Sequence, residues 1–352
     1  MLNRRQLLRN LLIASGAGLG APVWAGNARD YRVGPFAPMI KGKKMDLPKP
    51  EIVNFQSTGT TARQRLRTAC AAIPLGVAQG TNLGNWLDQI PKPEKMPGGT
   101  AALLGATLAA DLKELGLLAI GETAPMLTAM QKFFGQIGVP EVMTAKFAAT
   151  VALLGRHALG FGFSVHDHGM DITWEVPGPL ALGLALDVAE PGSPVEILRK
   201  WAKSHKIDEV RLVSRSLASQ STRIQLLLPG KGVAGMVAGQ ELFTALNIPQ
   251  LPPTVLQVLG KLDQPLGLTL RLSTIDKPGD AGVADVGFVV QRPSSATVVQ
   301  MLSLSGAKTD PQIASFEGFM QAPGAEQMTV RALSGKPQVD LHYHAGADAK
   351  VV

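Results

Sequence analysis

The segment PQVDLHYHAG, residues 337–346, sets Asp340, His342 and His344 two residues apart. On an extended strand that spacing puts all three side chains on one face. Imidazole beside carboxylate supports two kinds of chemistry. It can ligate zinc or another divalent ion, or it can serve as a general base whose tautomer the carboxylate fixes. HDHGMD, residues 166–171, supplies a second set with His166, His168 and Asp171. Neither set has a standard metal spacing, so no metal ligand is assigned, no cofactor is expected, and Mg2+ has no motif to hold it. His342, with Asp340 or Asp171 orienting it, is the candidate proton acceptor.

Strands must aim these groups, and four stretches alternate in the required way. They are ALGFGFSVHDHGMDITWEV, DEVRLVSRSLASQSTRIQLLL, PLGLTLRLSTIDKPGDAGVADVGFVV and EQMTVRALSGKPQVDLHYH. Each breaks at Gly, Pro, Asp or Ser and resumes, as a hairpin does. One face of these strands is apolar. The other carries Arg211, Arg215, Arg223, Arg271 and Arg331, together with Gln225, Asp171, Glu175, Asp285 and Asp340. On an open sheet that face is a solvated surface. In a closed barrel it lines the lumen, and guanidinium forks there suit an anionic ligand.

Helical periodicity fills the intervals. TARQRLRTACAAI, TAALLGATLAADLKELGLLAI, APMLTAMQKFFGQI, PEVMTAKFAATVALLGRH, SPVEILRKWAKSH, GVAGMVAGQELFTALN, PPTVLQVLGKL, SSATVVQMLSLSG and DPQIASFEGFMQ all show it. The chain thus repeats a helix–helix–strand–strand unit about four times, with residues 100–177 as the first clear copy. The expected fold class is α/β (α+β), an antiparallel β-barrel of repeated ααββ units surrounded by helices. A four-hairpin open sheet covered by helices is the alternative. The expected organisation is a signal over residues 1–25, a flexible Pro, Gly and Lys-rich segment over 26–60, a single barrel domain over 61–346, and a tail over 347–352.

The formal charge of +7 comes from 34 Lys and Arg against 27 Asp and Glu. Arg4, Arg5 and Arg9 supply three of those charges, and the remaining excess is thinly spread, which argues against nucleic-acid binding. NRRQLLRNLLIASGAGLGAPVWA pairs two arginines with a short glycine-broken apolar run and a small-residue exit at Ala25. This is the pattern of a twin-arginine export signal, so the expected partner is that export machinery and the expected location periplasmic or secreted. No later stretch is apolar enough to form a membrane-spanning helix. Cys70 is the sole cysteine and reads as a buried helix residue. GKGVAG, residues 230–235, matches a dinucleotide fingerprint but follows a hairpin, so it reads as a helix N-terminal turn.

The repeated order, together with SHKIDEVRLVSRSLASQSTRIQLLL, IDKPGDAGVADVGFVV and LHYHAG, resembles the soluble aromatic prenyltransferases of the ABBA type over residues 160–346. The resemblance implies a PT barrel whose lumen takes a prenyl diphosphate and an aromatic acceptor. It also implies basic residues that hold the diphosphate, and the arginines named above with Gln225 and Asp285 are the substrate-binding set it points to. At three basic positions of that family this chain has Asp171, Asp285 and, nearby, Asp340. Two other functions stay open: a non-catalytic periplasmic binding protein for an anionic or aromatic small molecule, and a metal-dependent hydrolase. N-terminal sequencing of the exported protein should begin close to Gly26; a chain still starting at Met1 would refute the signal.

Overall fold

The computed structural model describes residues 61–73, 77–92, 101–155, 158–166, 169–189, 192–217, 221–273, 282–307, 311–322, 324–333 and 336–347. The expected signal, the N-terminal segment, the tail beyond Ala347, His168 and the turn at 276–280 lie outside these residues. The described chain runs through five ααββ units. The first is α1 (Ala62–Ala71), α2 (Val77–Gln89), β1 (Leu103–Ala109) and β2 (Glu114–Glu122). The second is α3 (Thr123–Gln136), α4 (Glu141–Leu154), β3 (Ala158–His166) and β4 (Gly169–Ala181). The third is α5 (Leu182–Val188), α6 (Ser193–Ser204), β5 (Glu209–Ser216) and β6 (Ser221–Lys231). The fourth is α7 (Val233–Ala245), α8 (Pro253–Gly260), β7 (Pro265–Ser273) and β8 (Gly282–Gln291). The last is α9 (Ser295–Ser305), α10 (Pro311–Met320), β9 (Gln327–Leu333) and β10 (Lys336–Ala347).

All neighbouring strands pair antiparallel, and β1 pairs with β10 as well as β2, so the ten strands close on themselves. Closure removes every free sheet edge. It also decides between the barrel and the open sheet in favour of the barrel. The helices form the outer layer, and α10 packs against α1 to complete their ring. Thr61 begins that layer with a capping box: its hydroxyl accepts from Gln64 N at 3.2 Å while its own N–H donates to Gln64 Oε1 at 2.8 Å. Arg63 then donates to the carbonyls of Leu87 and Ile90, tying α1 to the end of α2.

The segment 101–120, within the stretch expected to be helical, departs from expectation. It is not a helix but the hairpin β1–β2. Leu104, Ala106 and Leu108 are buried against helices while Gly105 and Thr107 take the opposite face. Ala and Leu favour helices in isolation, yet ten-strand closure and the period-two burial outweigh that weak preference. The repeat is accordingly fivefold rather than fourfold. Helices α2 and α5 were not anticipated either.

The main core lies between strands and helices. Trp86 meets Phe161 edge-on at 5.4 Å, Phe147 sits 5.8 Å from Trp174, and Phe243 stacks on Phe288 at 5.5 Å. Cys70 is buried there, and desolvation pushes its thiol up to about 12, which makes it inert. No described helix is long and apolar enough to cross a membrane.

Close approach across strands depends on several glycines, Gly160 and Gly287 among them. A Cβ at Gly160 would lie 2.6 Å from Glu175 Cγ, and one at Gly287 would lie 2.8 Å from both Arg331 Cγ and the Val330 carbonyl oxygen. Gly287→Ala is therefore expected to destabilise the barrel by about 1–3 kcal/mol through overpacking. A urea unfolding midpoint unchanged from the parent would contradict this.

Candidate functional site

Directly opposed residues in a sheet share a face, so the pairing register identifies what looks into the lumen. Glu175 lies opposite Ser214, Ser214 opposite Arg223, Arg223 opposite Arg271, and Arg271 opposite Asp285. Five consecutive strands thus carry one belt of side chains around the inside. Arg331 on β9 and Asp340 on β10 extend it. The belt borders an inner chamber of about 170 Å³ that is also lined by Thr107, Glu114, Gln225, Thr269 and His342.

The belt is cross-linked. Arg271 Nε donates to Asp285 Oδ2 at 2.6 Å, and Arg331 Nη1 lies 3.6 Å from the same oxygen. Arg331 Nη2 reaches Asp340 Oδ1 at 2.9 Å and Oδ2 at 2.8 Å. Burial opposes the charge on Arg331, but Asp340 and Asp285 more than offset this and hold its pKa above the ordinary value. Removing one partner of such a buried pair costs about 3–5 kcal/mol. Arg271 and Arg331 are therefore structural cations.

Arg223 differs. Among the described residues it has no hydrogen-bond or ion-pair partner, although its field acts on Glu175 and His342. Glu175 is buried, and desolvation raises its pKa to about 7 against the opposing pull of Arg223. It can therefore give or take a proton at neutral pH. Glu175 Oε1, Thr269 Oγ1, Asp285 Oδ1 and Arg331 Nε are buried without a hydrogen-bond partner. Three of them belong to residues that line the chamber, and Asp285 stands beside it in the belt; such unpartnered polar atoms are what a hydrogen-bonding ligand would satisfy.

The structure brings Arg223, Gln225, Arg271, Asp285, Arg331, Asp340 and His342 together, as expected. It separates three others. Arg215 lies opposite Trp174, whose ring packs outward on Phe147, and its Nη1 donates to the Val188 carbonyl oxygen at 3.3 Å. Arg211 shares that outward face, where burial lowers its pKa. The lumen face of β5 is Leu212, Ser214 and Ser216, so the lumen placement expected for Arg211 and Arg215 is corrected. Long arginine stems can thread an apolar layer with their heads at its edge, so polarity misreports the face here. Asp171 sits near the hairpin end, where its carboxylate accepts from Ile172 N at 2.7 Å and from the Ser216 hydroxyl. It does not line the inner chamber.

His342 is held at both ring nitrogens, with Thr107 Oγ1 at 2.8 Å from Nδ1 and Thr329 Oγ1 at 3.1 Å from Nε2. Burial, then Arg223 and Arg331, lower its pKa to about 3. It is neutral at pH 7 and too weak a base to collect a proton. Asp340, which was expected to orient a base, is engaged by Arg331. Of the groups expected or found at the chamber, Glu175 is the one whose pKa is brought close to neutral. Thr107 and Glu114 also escaped sequence reasoning, because they belong to the hairpin read as a helix; the Gly105/Thr107 alternation with Leu104 and Ala106 was the available signal. Among the described residues no three His, Cys, Asp or Glu side chains gather as metal ligands.

No family model matches the chain. A PH domain-containing protein of Dictyostelium discoideum is 24% identical over 240 residues, covering 66% of this chain and 51% of that protein. The chain thus spans about half the length of that curated relative. Among solved structures, AnaPT from Neosartorya fischeri superposes with a TM-score of 0.54 at 11% identity, over 83% of this chain and 94% of that one. NotF in complex with brevianamide F and DMSPP gives 0.51 at 11% identity, over 85% and 99%. A further structure of NotF prenyltransferase gives 0.50 at 9% identity, over 80% and 93%. The fold is the ten-strand antiparallel PT barrel of the ABBA type.

The site makes a pH prediction. Because the folded pKa of Glu175 is raised to about 7, the folded protein holds a proton that the unfolded chain, titrating near 4.3, has released. Its cost is absent below about pH 4, grows as pH rises, and is complete above about pH 8, where it amounts to about 4 kcal/mol. Glu175→Gln should therefore gain stability over the parent between pH 5 and 8.5. Urea unfolding curves at both pH values with a constant difference between variant and parent would refute the assignment.

Proposed function

We propose that this barrel binds a small monoanionic acid carrying a hydroxyl or amino group, seated at Arg223 in the inner chamber. The observation that carries this reading is the partnerless guanidinium. Among the described residues Arg271 and Arg331 are committed to Asp285 and Asp340, whereas Arg223 is free to fork onto a carboxylate. The ligand's own donor would satisfy Glu175 Oε1 or Asp285 Oδ1. Counting the belt and the exposed Glu114 at the chamber's edge, three guanidiniums face four carboxylates, one of which, Glu175, is readily protonated; this leaves little positive charge for a multiply charged diphosphate and makes a singly charged ligand the better match. Arrival of the anion favours the protonated form of Glu175, which keeps the chamber near neutrality. The chamber volume of about 170 Å³ fits a single substituted ring, since it lies below the roughly 300–1,000 Å³ of drug-sized pockets. The export expected from residues 1–25 would expose the chamber to extracytoplasmic acids.

Prenyl transfer is the second reading, favoured by the fold shared with NotF, a prenyltransferase whose structure holds brevianamide F and DMSPP. The allylic carbon–oxygen bond to diphosphate would break, the acceptor ring would supply the electron pair of the new carbon–carbon bond, and Glu175 would receive the ring proton. Two features weigh against it. The belt is charge-balanced, and the aromatic cores described above stand on the helix side; Phe163, at the chamber border, is packed with Trp86 and Phe133. An allylic cation would lack the ring faces that stabilise it.

Calorimetry with 4-hydroxybenzoate should show binding that weakens as pH rises through about 7, with proton uptake that Glu175→Gln abolishes. Arg223→Ala, with thermal melting as the folding control, should weaken binding at least tenfold. Binding of dimethylallyl diphosphate together with an alkylated product in mass spectra would replace the first reading with the second.

A further inference from the structure

The inner chamber continues outward. Ala109, Glu114, Arg331 and Asp340 line it and also line a second cavity of about 430 Å³ at the hairpin end of the barrel. These four residues form a neck. The doubly bonded Arg331–Asp340 pair is its fixed wall, and Ala109, which lies opposite Asp340 in the register, is its smallest member. The outer cavity has a different character. Small or apolar residues such as Ala110, Gly306, Pro337 and Val339 border it, together with Lys113 and Lys336; of its carboxylates, Asp340 is held by Arg331, while Asp111 and Glu114 stand on the same side as Lys113, which leaves Lys336 on the opposite wall as the stronger anchor for an anion. Among the described residues neither lysine ammonium has an ion-pair partner.

A cavity of about 150 Å³ holds a benzene-sized molecule, so the inner chamber accommodates the head of a ligand and little more. Anything larger must pass the neck. We propose that the outer cavity is a second binding compartment and that the ligand has two parts: an acid head at Arg223, and a body whose anionic group reaches Lys113 and Lys336. This inference rests on the reading of the inner chamber as an acid site. Gln338 decides how much body fits. It lies opposite Arg331 on the lumen face of β10 and lines only the outer of the two chambers.

The test compares 4-hydroxybenzoate, a head alone, with 3-(5-carboxypentyl)-4-hydroxybenzoate, the same ring with a flexible acid tail. The parent protein should bind the tailed compound at least tenfold more tightly. Gln338→Trp, which fills the outer cavity, and the double change Lys113→Ala with Lys336→Ala should each remove that advantage. Both should leave 4-hydroxybenzoate within twofold of the parent, which also shows that the variants are folded. If 4-hydroxybenzoate binds but the tail adds nothing, or if the variants do not distinguish the two probes, the two-part ligand is refuted while the acid site stands. If 4-hydroxybenzoate does not bind, the acid site falls and this inference with it.

Discussion

The pairing of β1 with β10 is the constraint from which the rest follows. Without it the polar faces of the strands would meet water and their charges would need no partners. With it those faces enclose a narrow lumen of low dielectric, where each unpaired charge is costly. Arg331 is accordingly gripped by Asp340 and steadied by Asp285, and Asp285 is shared with Arg271. Gly160 and Gly287 withhold side chains so that Glu175 and Arg331 can lie along the wall.

This solution leaves a few groups unsatisfied. Arg223 has no protein counter-ion among the described residues, and Glu175 cannot be fully charged without penalty. The two sit on neighbouring rows joined through Ser214. A lumen whose charges are near balance, with Arg223 unpaired among the described residues and Glu175 readily protonated, is chemically distinct from a strongly cationic cradle. The fold is that of the PT barrels, while the interior carries guanidiniums and carboxylates in near balance. The aromatic residues, concentrated between strands and helices, build the core and leave the lumen to polar groups.

Much of the fold was legible in the chain. Alternation in four hairpins placed Arg223, Gln225, Arg271, Asp285, Arg331, Asp340 and His342 on a common face, because strand parity follows from covalent geometry alone. The first hairpin was not legible. Its Leu, Ala and Gly residues have helix-compatible composition, and only the partner strands β10 and β3 make an extended conformation worthwhile. β5 misled for another reason: both of its faces mix apolar and polar residues, and an arginine that threads the helix layer looks the same in sequence as one that lines a lumen.

Sequence alone determined which residue types share a strand face, where the hairpins break and that the polar face is rich in arginine and carboxylate. These depend on neighbours along the chain. Which face turns inward at β5, which arginines are neutralised and which acid keeps a proton were decided only by tertiary structure. Those properties depend on the distance between strands far apart in sequence and on the exclusion of water between them. The histidine pair that first suggested chemistry shows the difference. Its spacing correctly put His342 in the lumen, but burial and two threonine hydroxyls made it a neutral part of the wall, while it is Glu175 whose pKa burial brings close to neutral.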